Sequence, residues 1–544
     1  MDFFNFSNPD LYVSIIFSIL NAVVLCYVSY KCLQVLQLSG YKFKGFGLWL
    51  RGGTEKRGKY MLRLIALSII SMAFMLVFNT AIISIGLSHY WCYLGLLWYF
   101  FVCWLYIKKV FAAPKKTPLK PTHRMSRLIG ALAVCSALIT FALFYVGLQY
   151  IPYLSFSIFA ISCALSPFLV CLCHLIMSPF ENLNNGRYIN NAKKKIQKNY
   201  SNIIRIGITG SYGKTSCKYI LATILKQKYN VCSSPNSFNT ALGLTSVVNH
   251  YLKPKHEVLI AEMGARKKGE IAFLCDIIRP QYAIITPIGP QHIATFSNVE
   301  TIAKTKNELI KSLPENGFAV FLKDNEKCFE LATNCNVDHA VVSATDQSCN
   351  AFAKDVCLNE NGMSFILCVE NEQVHCSSPL LGEHNLQNIL QCAALAKKLG
   401  LTMQQIANGI SQLAVIPHRL QVIRNKDVTI IDNSYNSNPQ SSKASLKCLE
   451  MFESKNKIVV TPGLVELGDQ EETFNEQFGR DLAKVANVVI VVNEANKAAI
   501  SKGLGDFENV FYAATLDEAK KILKEKITPQ SVVLFENDLP DNYT

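Results

Sequence analysis

The sequence predicts an α-helical transmembrane domain of about five helices, followed by two α/β domains. Two observations predict this division. Up to residue 180, long stretches carry no charged side chain. After residue 200, short runs of β-branched residues alternate with helical stretches, a pattern typical of βαβ units with parallel sheets. A chain of 544 residues is also too long for one compact domain.

The membrane domain is predicted from uncharged segments that are long enough to cross a bilayer, which takes roughly 20 residues for about 30 Å of hydrocarbon. Acidic rather than basic residues precede the first segment, so we expect no cleaved signal peptide. Five segments are present: one in 11–30, two in 64–107 with a break near 86–89, and two in 128–180 with a break near 149–152.

The charges between these segments predict the orientation of the helices. Residues 31–63 carry eight Lys/Arg, residues 108–127 carry seven and residues 181–200 carry five, whereas the two intervening turns carry none. Positively charged loops stay on the cytoplasmic side. We therefore expect a multi-pass membrane protein with its N-terminus outside and everything after residue 180 in the cytoplasm, where ATP is.

Charge and cysteine content exclude two classes of function. The net charge is +14, but residues 1–200 hold 20 Lys/Arg and 4 Asp/Glu, so that half carries about +16 and the rest about −2. The basic excess belongs to the membrane half, and we expect no nucleic-acid partner. None of the 19 cysteines has C-x-x-C spacing, which predicts free, buried thiols rather than a zinc site.

The clearest functional motif is GITGSYGKTS at 207–216, between a predicted strand (203–208) and a predicted helix (217–227). Strand, glycine-rich loop and helix together indicate a phosphate-binding loop, in which backbone N–H groups approach phosphate oxygens. The alternative is a tight glycine turn with an incidental lysine. The predicted nucleotide-binding residues are Gly210, Ser211, Gly213, Lys214, Thr215 and Ser216.

Further strands are predicted through the second half of the chain. Glu262 ends one of them, beside the loop, where a carboxylate is well placed for Mg²⁺. Residues 317–380 are less regular and are expected to add strands. The regular strands are predicted at 203–208, 257–263, 282–288, 428–432, 457–462, 488–493 and 531–537.

Four more motifs follow the loop in order: EMG (262–264), GEHNLQN (382–388), PHRL (417–420) and DNSYNSNP (432–439). With GSYGKTS they resemble the Mur ligases of peptidoglycan synthesis, over about 203–540. DNSYNSNP is most similar to the segment of the member that adds D-alanyl-D-alanine. The expected domains are a transmembrane domain (1–180), a basic linker (181–202), a central P-loop ATP-binding Mur ligase domain (203–420) and a Rossmann-like C-terminal Mur ligase domain (421–544).

The resemblance implies an ATP-dependent amide ligase at the bacterial inner membrane. ATP would phosphorylate a substrate carboxylate, and an amine would displace the phosphate from the acyl phosphate. The implied substrates are D-alanyl-D-alanine and a UDP-MurNAc-tripeptide or its lipid-linked equivalent, and membrane lipid is an expected partner. The implied cofactors are ATP, two Mg²⁺ ions and a carbamylated lysine.

The resemblance also implies roles for individual residues. Lys306 matches a lysine that many members carry as a carbamate, and Lys304 is the competing register. Each implied residue has an alternative role as an ordinary cap, turn or surface residue. The implied catalytic residues are Lys214, Lys306, His292 and Arg419; the metal ligands Thr215, Glu262, His292 and Lys306; further nucleotide contacts Asn385, Asn388, Arg419 and Asp432; and substrate contacts Asn239, Thr240, Tyr435, Asn436 and Asn438.

Two departures from the family pattern affect the substrate. Asn433 stands where the family often has aspartate, and residues 461–468 differ from the usual G-D-M-x-E-L-G. The family's soluble UDP-sugar domain has no room here, because only a basic linker of about twenty residues separates the last apolar segment from the loop's strand. The membrane domain, the linker or another protein would replace it.

Two other functions remain open from the sequence. A related membrane ligase that uses another amine, such as a poly-γ-glutamate synthase, would also lack the UDP-sugar domain. A transporter or scaffold with a vestigial ATPase is the non-enzymatic alternative. The intact set of predicted catalytic side chains, from Lys214 to Lys306, favours an enzyme.

Overall fold

A computed structural model of the chain describes residues 9–538 except 42, 44–45, 48, 50–54, 88–92, 113–117, 151–154, 236, 291–295, 297, 426, 436 and 466. The chain divides into two compact units, Met1–Asn185 and Gly186–Thr544. The first is helical and the second contains two β-sheets with their helices. The predicted order of a helical part followed by α/β domains is therefore confirmed.

The first unit contains long apolar helices. Large side chains such as Ile16 and Val77 are exposed on it, as expected for surfaces that face lipid. Within the part of the chain that the structure describes, five helices are long and apolar enough to cross a membrane, which confirms their predicted number. The helices are α1 (Pro9–Val28), α2 (Tyr30–Leu38), α3 (Glu55–Ser84), α4 (Tyr93–Ala112), α5 (His123–Tyr150) and α6 (Ser157–Lys198).

Inside this unit, polar side chains connect the helices. Tyr99 on α4 donates a hydrogen bond to Asn21 on α1 at 2.6 Å, and Asn21 donates to Ser162 on α6 at 3.2 Å. Interhelical hydrogen bonds of this kind stabilise helix packing where apolar burial gives no net driving force.

The last helix continues through most of the segment expected to be a linker, since α6 ends at Lys198. Ala192, Ile196 and Tyr200 pack into the hydrophobic core of the second unit. Lys195 Nζ donates to the carbonyl oxygens of Val248 and Asn249, both at 3.1 Å. Residues 186–200 are therefore a structural part of the second unit.

The larger sheet has nine strands in the order β2-β3-β1-β4-β5-β6-β7-β8-β9, parallel up to β7 and antiparallel after it. Residues 317–380 supply the extra strands that were predicted. The strands are β1 (Ile204–Thr209), β2 (Val231–Ser233), β3 (Val258–Glu262), β4 (Tyr282–Ile285), β5 (Phe318–Leu322), β6 (Asp338–Ser343), β7 (Ala351–Asn359), β8 (Gly362–Val369) and β9 (Glu372–Ser378).

Helices pack against this sheet and share its core. A π-helical segment, Val247–Tyr251, follows α8 directly. The helices are α7 (Lys214–Leu225), α8 (Ala241–Ser246), α9 (Glu270–Ile278), α10 (Val299–Lys306), α11 (Glu308–Lys311), α12 (Glu326–Thr333), α13 (Glu383–Lys398) and α14 (Met403–Ser411).

The smaller sheet has the order β10-β11-β15-β12-β13-β14 and is parallel except for β10. Its strands are β10 (Gln421–Asn425), β11 (Val428–Asn433), β12 (Lys457–Thr461), β13 (Val488–Val492), β14 (Val510–Ala513) and β15 (Val532–Glu536). Its helices are α15 (Pro439–Glu450), a 3₁₀ turn (Gly468–Gln470), α16 (Glu471–Val485), α17 (Lys497–Leu504) and α18 (Leu516–Lys526).

The strand order of the larger sheet fixes the place of a ligand crevice. β1 lies between β3 and β4 and is parallel to both. The connection from β1 leads to β2 on one side of it, and the connection from β3 crosses to β4 on the other side, so a crevice opens beyond the carboxyl end of β1. The glycine-rich loop after β1 and Glu262 at the end of β3 both lie at that edge.

Candidate active site

The loop between β1 and α7 has a conformation that requires glycine at two positions. Gly210 has φ 154° and Gly213 has φ 75°. A Cβ atom at Gly210 would overlap Thr286, and one at Gly213 would lie 2.8 Å from Asn388 Oδ1. The predicted strand–loop–helix context is confirmed, and the backbone approaches its neighbours too closely for any side chain.

The segment that follows β4 holds this loop in place. Ser211 and Tyr212 donate their backbone N–H groups to the Pro287 carbonyl at 2.9 and 3.1 Å. The Ser211 hydroxyl donates to the Gly289 carbonyl, and the Tyr212 hydroxyl donates to the Pro290 carbonyl, both at 2.9 Å. These bonds fix the conformation of the loop, and they engage the N–H groups of Ser211 and Tyr212 with Pro287 rather than with a ligand.

Lys214, the first residue of α7, folds over the loop. Its Nζ donates to the carbonyl oxygens of Gly210 and Ser211, both at 2.7 Å. Burial lowers the pKa of Lys214 to about 8, and Arg419 adds to the decrease while Glu262 opposes it. Ser216 is buried two residues further on in α7. The ammonium group lies where an anion at the loop would meet it.

Thr215 and Glu262 meet across the crevice, as predicted. The Thr215 hydroxyl donates to Glu262 Oε1 at 3.1 Å, and Asn239 Nδ2 donates to the same oxygen at 3.0 Å. Lys218 Nζ lies 3.1 Å from Glu262 Oε2. A hydroxyl and a carboxylate are the hard oxygen donors that Mg²⁺ binds together with phosphate oxygens.

Lys306 and Lys304 differ in environment. Lys306, the last residue of α10, is 3% exposed, whereas Lys304 is exposed. Burial, and then the neighbouring charge of Lys214, hold the pKa of Lys306 well below its ordinary value. Lys306, the lysine that matches the one in the family's motif, is therefore the buried one of the two.

The start of α13 contributes two asparagine side chains whose amide oxygens lack hydrogen-bond partners among the described residues. Asn385 and Asn388 are buried, and neither Oδ1 atom accepts a hydrogen bond from the part of the chain that the structure describes. Asn388 lies against Gly213. Buried polar atoms are normally paired, so these amides indicate a missing polar ligand at the loop.

Arg419 lies on the segment between the two sheets and approaches the loop. Its charge lowers the pKa of Lys214 and of His384, and its guanidinium carbon lies 4.8 Å from the Tyr435 ring centroid. The residues on either side, His418 (φ 62°) and Leu420 (φ 49°), have left-handed backbone, which is strained for side chains other than glycine.

Several other predicted residues have local structural partners. Asp432 accepts hydrogen bonds from His418 Nδ1 at 2.7 Å and from the Ser434 hydroxyl at 2.6 Å. Asn438 and Thr240 are the N-caps of α15 and α8. These are the cap and turn roles that the sequence left open beside the substrate roles.

The loop after β11 approaches the larger sheet through Tyr435, whose hydroxyl lies 2.8 Å from the Ser237 hydroxyl. Ser237 precedes Asn239 and Thr240 by only a few residues, so two of the predicted substrate segments meet. His292 and Asn436, predicted as a metal ligand and a substrate contact, lie outside the described residues.

Lys218 and His384 belong to this region and were not predicted. A signal for Lys218 was present, since it follows Lys214 by four residues and therefore shares its helix face. His384 is part of the GEHNLQN motif, and burial lowers its pKa to about 4, with Arg419 acting in the same direction. The sequence alone does not reveal that these side chains lie at the site.

The structure gives a physical reason for Asn433, which departs from the family's aspartate. Its Nδ2 donates to both carboxylate oxygens of Glu536, at 3.2 and 3.0 Å, and Glu536 is fully buried. An aspartate would bring a second carboxylate to the same place, where like charges repel strongly.

Comparisons with known proteins agree with this architecture. Residues 208–396 match the family model of the Mur ligase middle domain, and residues 418–536 match that of the Mur ligase glutamate ligase domain. Two solved structures are similar over 65% of this chain. They are MurF from Acinetobacter baumannii (TM-score 0.59, 25% identity, 77% of that chain) and MurF from Thermotoga maritima with ADP (TM-score 0.58, 27% identity, 80% of that chain).

Curated relatives agree as well. The UDP-N-acetylmuramoyl-tripeptide–D-alanyl-D-alanine ligase of Synechocystis is 30% identical over 333 residues, which is 61% of this chain and 71% of the relative. The Bacillus subtilis enzyme of the same name is 34% identical over 278 residues, 50% of this chain and 59% of the relative. The chain therefore belongs to the Mur ligase family.

Proposed function

We propose that this chain is an ATP-dependent ligase that adds D-alanyl-D-alanine to a muramoyl-tripeptide precursor of peptidoglycan through an acyl phosphate. One observation carries the proposal. The phosphate-binding loop with Lys214, the Thr215–Glu262 pair and the linker residue Arg419 converge at one edge of the larger sheet.

ATP fits the residues at this edge. The loop offers a glycine cradle with no room for side chains, and Asn385 and Asn388 offer buried amide oxygens that lack partners among the described residues to a base. Mg²⁺ fits the oxygen donors of Thr215 and Glu262, which need phosphate oxygens and water to complete six ligands. The similar structure from Thermotoga maritima was solved with ADP.

The reaction requires a carboxylate oxygen to attack the γ-phosphate and then an amine to displace phosphate from the acyl carbon. Lys214 and Arg419 would hold the transferred phosphoryl group and offset its negative charge. Thr215 and Glu262 would hold Mg²⁺, whose charge would offset that of the phosphates. The fixed conformation of the loop contributes because groups that are held in place need little reorientation during transfer.

Lys306 is proposed to carry a carbamate. Its amine would attack the carbon of CO₂, form an N–C bond and release a proton, which turns a cationic side chain into an anionic metal ligand. Only the neutral amine is nucleophilic, and the low pKa of buried Lys306 supports that form. His292 is proposed as the companion ligand.

The amine is proposed to arrive from the C-terminal domain. Tyr435, Asn436 and Asn438 lie on the loop after β11, and the Tyr435 hydroxyl reaches Ser237. Asn239 and Thr240 are proposed to contact the acceptor and Asp432 the nucleotide. Since Asp432, Asn438 and Thr240 have internal partners in this structure, those contacts would require rearrangement when the substrates bind.

The α/β domains are proposed to lie at the cytoplasmic face of the plasma membrane, with the N-terminus outside. The distribution of Lys and Arg among the apolar segments supports this topology. It would bring a membrane-embedded, lipid-linked acceptor within range as well as a soluble nucleotide-linked one.

The test uses the purified full chain in a lipid environment with ATP, Mg²⁺ and D-alanyl-D-alanine. UDP-MurNAc-tripeptide and its lipid-linked form are supplied in separate reactions. We expect ADP release and an acceptor heavier by one dipeptide with at least one of them, and neither product with Lys214→Met. No ADP and no extended peptide with either acceptor would contradict the proposal.

A second ligase function is favoured by one observation, the five apolar helices that precede the catalytic domains. A membrane ligase that polymerises glutamate would retain the same ATP site. Glutamate in place of D-alanyl-D-alanine, with product mass as the readout, separates the two. A ladder spaced by glutamate residues would replace the dipeptide assignment.

A further inference from the structure

We infer that Lys218 is a positioning residue that fixes the carboxylate of Glu262, so that only one of its oxygens faces the metal and the bare site attracts cations weakly. This inference rests on the proposed function only in taking Glu262 as a Mg²⁺ ligand.

The hydrogen bonds divide the two oxygens of Glu262 between different partners. Oε1 faces the crevice and accepts from Thr215 and Asn239 at 3.1 and 3.0 Å. Oε2 accepts from Lys218 Nζ at 3.1 Å. A ligand to both Thr215 and Glu262 would therefore bind through Oε1, while Lys218 keeps Oε2 away from it.

The pair is also isolated from solvent. Lys218 is 0% exposed and Glu262 is 1% exposed. The Lys218 ammonium further lies 4.8 Å from the centroid of the Tyr219 ring. A buried ion pair of good geometry is held firmly because either partner alone would be an uncompensated charge.

Helix geometry explains why this lysine reaches the site. Lys218 follows Lys214 by four residues on α7, so both side chains leave the same face of the helix. Lys214 turns to the loop carbonyls, whereas Lys218 turns to the end of β3. The first lysine is available to a phosphate and the second is already committed to the carboxylate.

The charge of Lys218 has a functional consequence. One carboxylate balanced by one buried ammonium, with Lys214 nearby, makes a poor cation site until phosphate oxygens are added. Mg²⁺ would therefore bind with the nucleotide rather than before it. Removing the Lys218 charge should let Glu262 bind a divalent cation without nucleotide.

The test measures binding of Mn²⁺ alone by electron paramagnetic resonance, using the full chain without nucleotide. We expect Lys218→Met to tighten Mn²⁺ binding by about tenfold or more, since a neighbouring positive charge is removed. Lys218→Arg should leave Mn²⁺ affinity within about threefold of wild type because it keeps the charge. Lys226→Met, an exposed position just after α7, is the matched control and should change nothing.

Turnover supplies the second readout. Lys218→Met should lower kcat by about tenfold or more, because an unfixed carboxylate no longer holds the metal in one geometry. An unchanged Mn²⁺ affinity in folded Lys218→Met would overturn the inference. If the wild-type chain has no ligase activity, the Mn²⁺ measurement still tests the role of Lys218 by itself. Failure of the proposed ligase function and failure of this inference are therefore distinguishable.

Lys218→Met leaves a buried carboxylate without its cation. A second comparison therefore tests the inference in a background that does not contain this carboxylate. In the Glu262→Gln background there is no carboxylate for Lys218 to fix. Adding Lys218→Met to Glu262→Gln should therefore tighten Mn²⁺ binding by a smaller factor than Lys218→Met does alone. An equal or larger factor would mean that Lys218 acts without the Glu262 carboxylate and would overturn the inference.

Discussion

Two buried glutamates, one in each sheet, each end a parallel strand but have different hydrogen-bond partners. Glu262 ends β3 in the larger sheet, and Glu536 ends β15 in the smaller one. Both are almost completely buried. Glu262 accepts from a lysine, a threonine and an asparagine, whereas the donors to Glu536 among the described residues are neutral, namely Ser437, Ser445 and Asn433.

The difference in partners separates a chemical role from an architectural one. Glu262 is balanced by a cation and keeps one oxygen beside Thr215 at the crevice. Glu536 ties together both ends of the loop that carries Tyr435, because Asn433 precedes that loop and Ser437 follows it. A buried acid at a strand end is therefore a metal-ligand candidate only when its surroundings leave an oxygen for the ligand.

Replacing Glu262 should have the largest effect. We expect Glu262→Gln to lower ATP-dependent turnover by about a thousandfold, because a metal ligand is lost. It should also destabilise the larger domain by about 3 kcal/mol, because Lys218 is left buried without its counterion. Glu536→Gln is the matched control, and the comparison fails if both substitutions reduce turnover equally.

These stability changes need a readout specific to the α/β domains. All four tryptophans lie at or before residue 104, so tryptophan fluorescence would report the N-terminal helical unit. Thermal unfolding followed by hydrogen exchange and mass spectrometry of peptides from 203–538 distinguishes the domains. The Glu262 variant should alter exchange in β1–β4, and Glu536 variants should alter it in β11 and β15.

Restoring the family's aspartate should have an intermediate effect. We expect Asn433→Asp to destabilise the C-terminal domain by about 2 kcal/mol at pH 8, since it removes two hydrogen bonds to Glu536 and adds a like charge. The loss should shrink at pH 5, where the pair can retain a proton. A fully stable Asn433→Asp protein at pH 8 would contradict the role assigned to Glu536.

The smallest effect is expected for Glu536→Gln and depends on pH. Burial raises the pKa of Glu536, although hydrogen bonds from Ser437, Ser445 and Asn433 oppose the rise. A carboxyl group whose pKa is raised in the folded state stabilises the fold at low pH. The protein loses that contribution as pH rises above the ordinary glutamate pKa. Wild type should therefore lose stability relative to Glu536→Gln between acidic and neutral pH, by about 1 kcal/mol or less. Parallel pH profiles for the two proteins would contradict this.

The features predicted correctly from the sequence are those that depend on residues close together along the chain. The loop at 207–216, the strands around it and the five apolar helices each have a local pattern, and the structure contains them. Thr215 and Glu262, both predicted as metal ligands, lie within hydrogen-bond distance of each other, because the carboxyl ends of adjacent parallel strands share one edge.

What the sequence did not reveal depends on contacts between distant residues. Lys218 and Glu262 are 44 positions apart, and Asn433 and Glu536 are 103 apart. The part of α6 that continues to Lys198 was expected to be only a basic linker. Its lysines alternate with Ala192 and Ile196, but this pattern is too short to predict which hydrophobic core the helix joins.

The most direct test of the proposed chemistry follows an oxygen atom. The full chain is given ATP and the acceptor whose reacting carboxylate is labelled with ¹⁸O, together with D-alanyl-D-alanine, and the released phosphate is analysed by mass spectrometry. If the carboxylate attacks the γ-phosphate, one labelled oxygen leaves with each phosphate, and we expect one ¹⁸O per phosphate from fully labelled acceptor. Amide formation with unlabelled phosphate would contradict the acyl-phosphate route at the site of Lys214, Thr215 and Glu262.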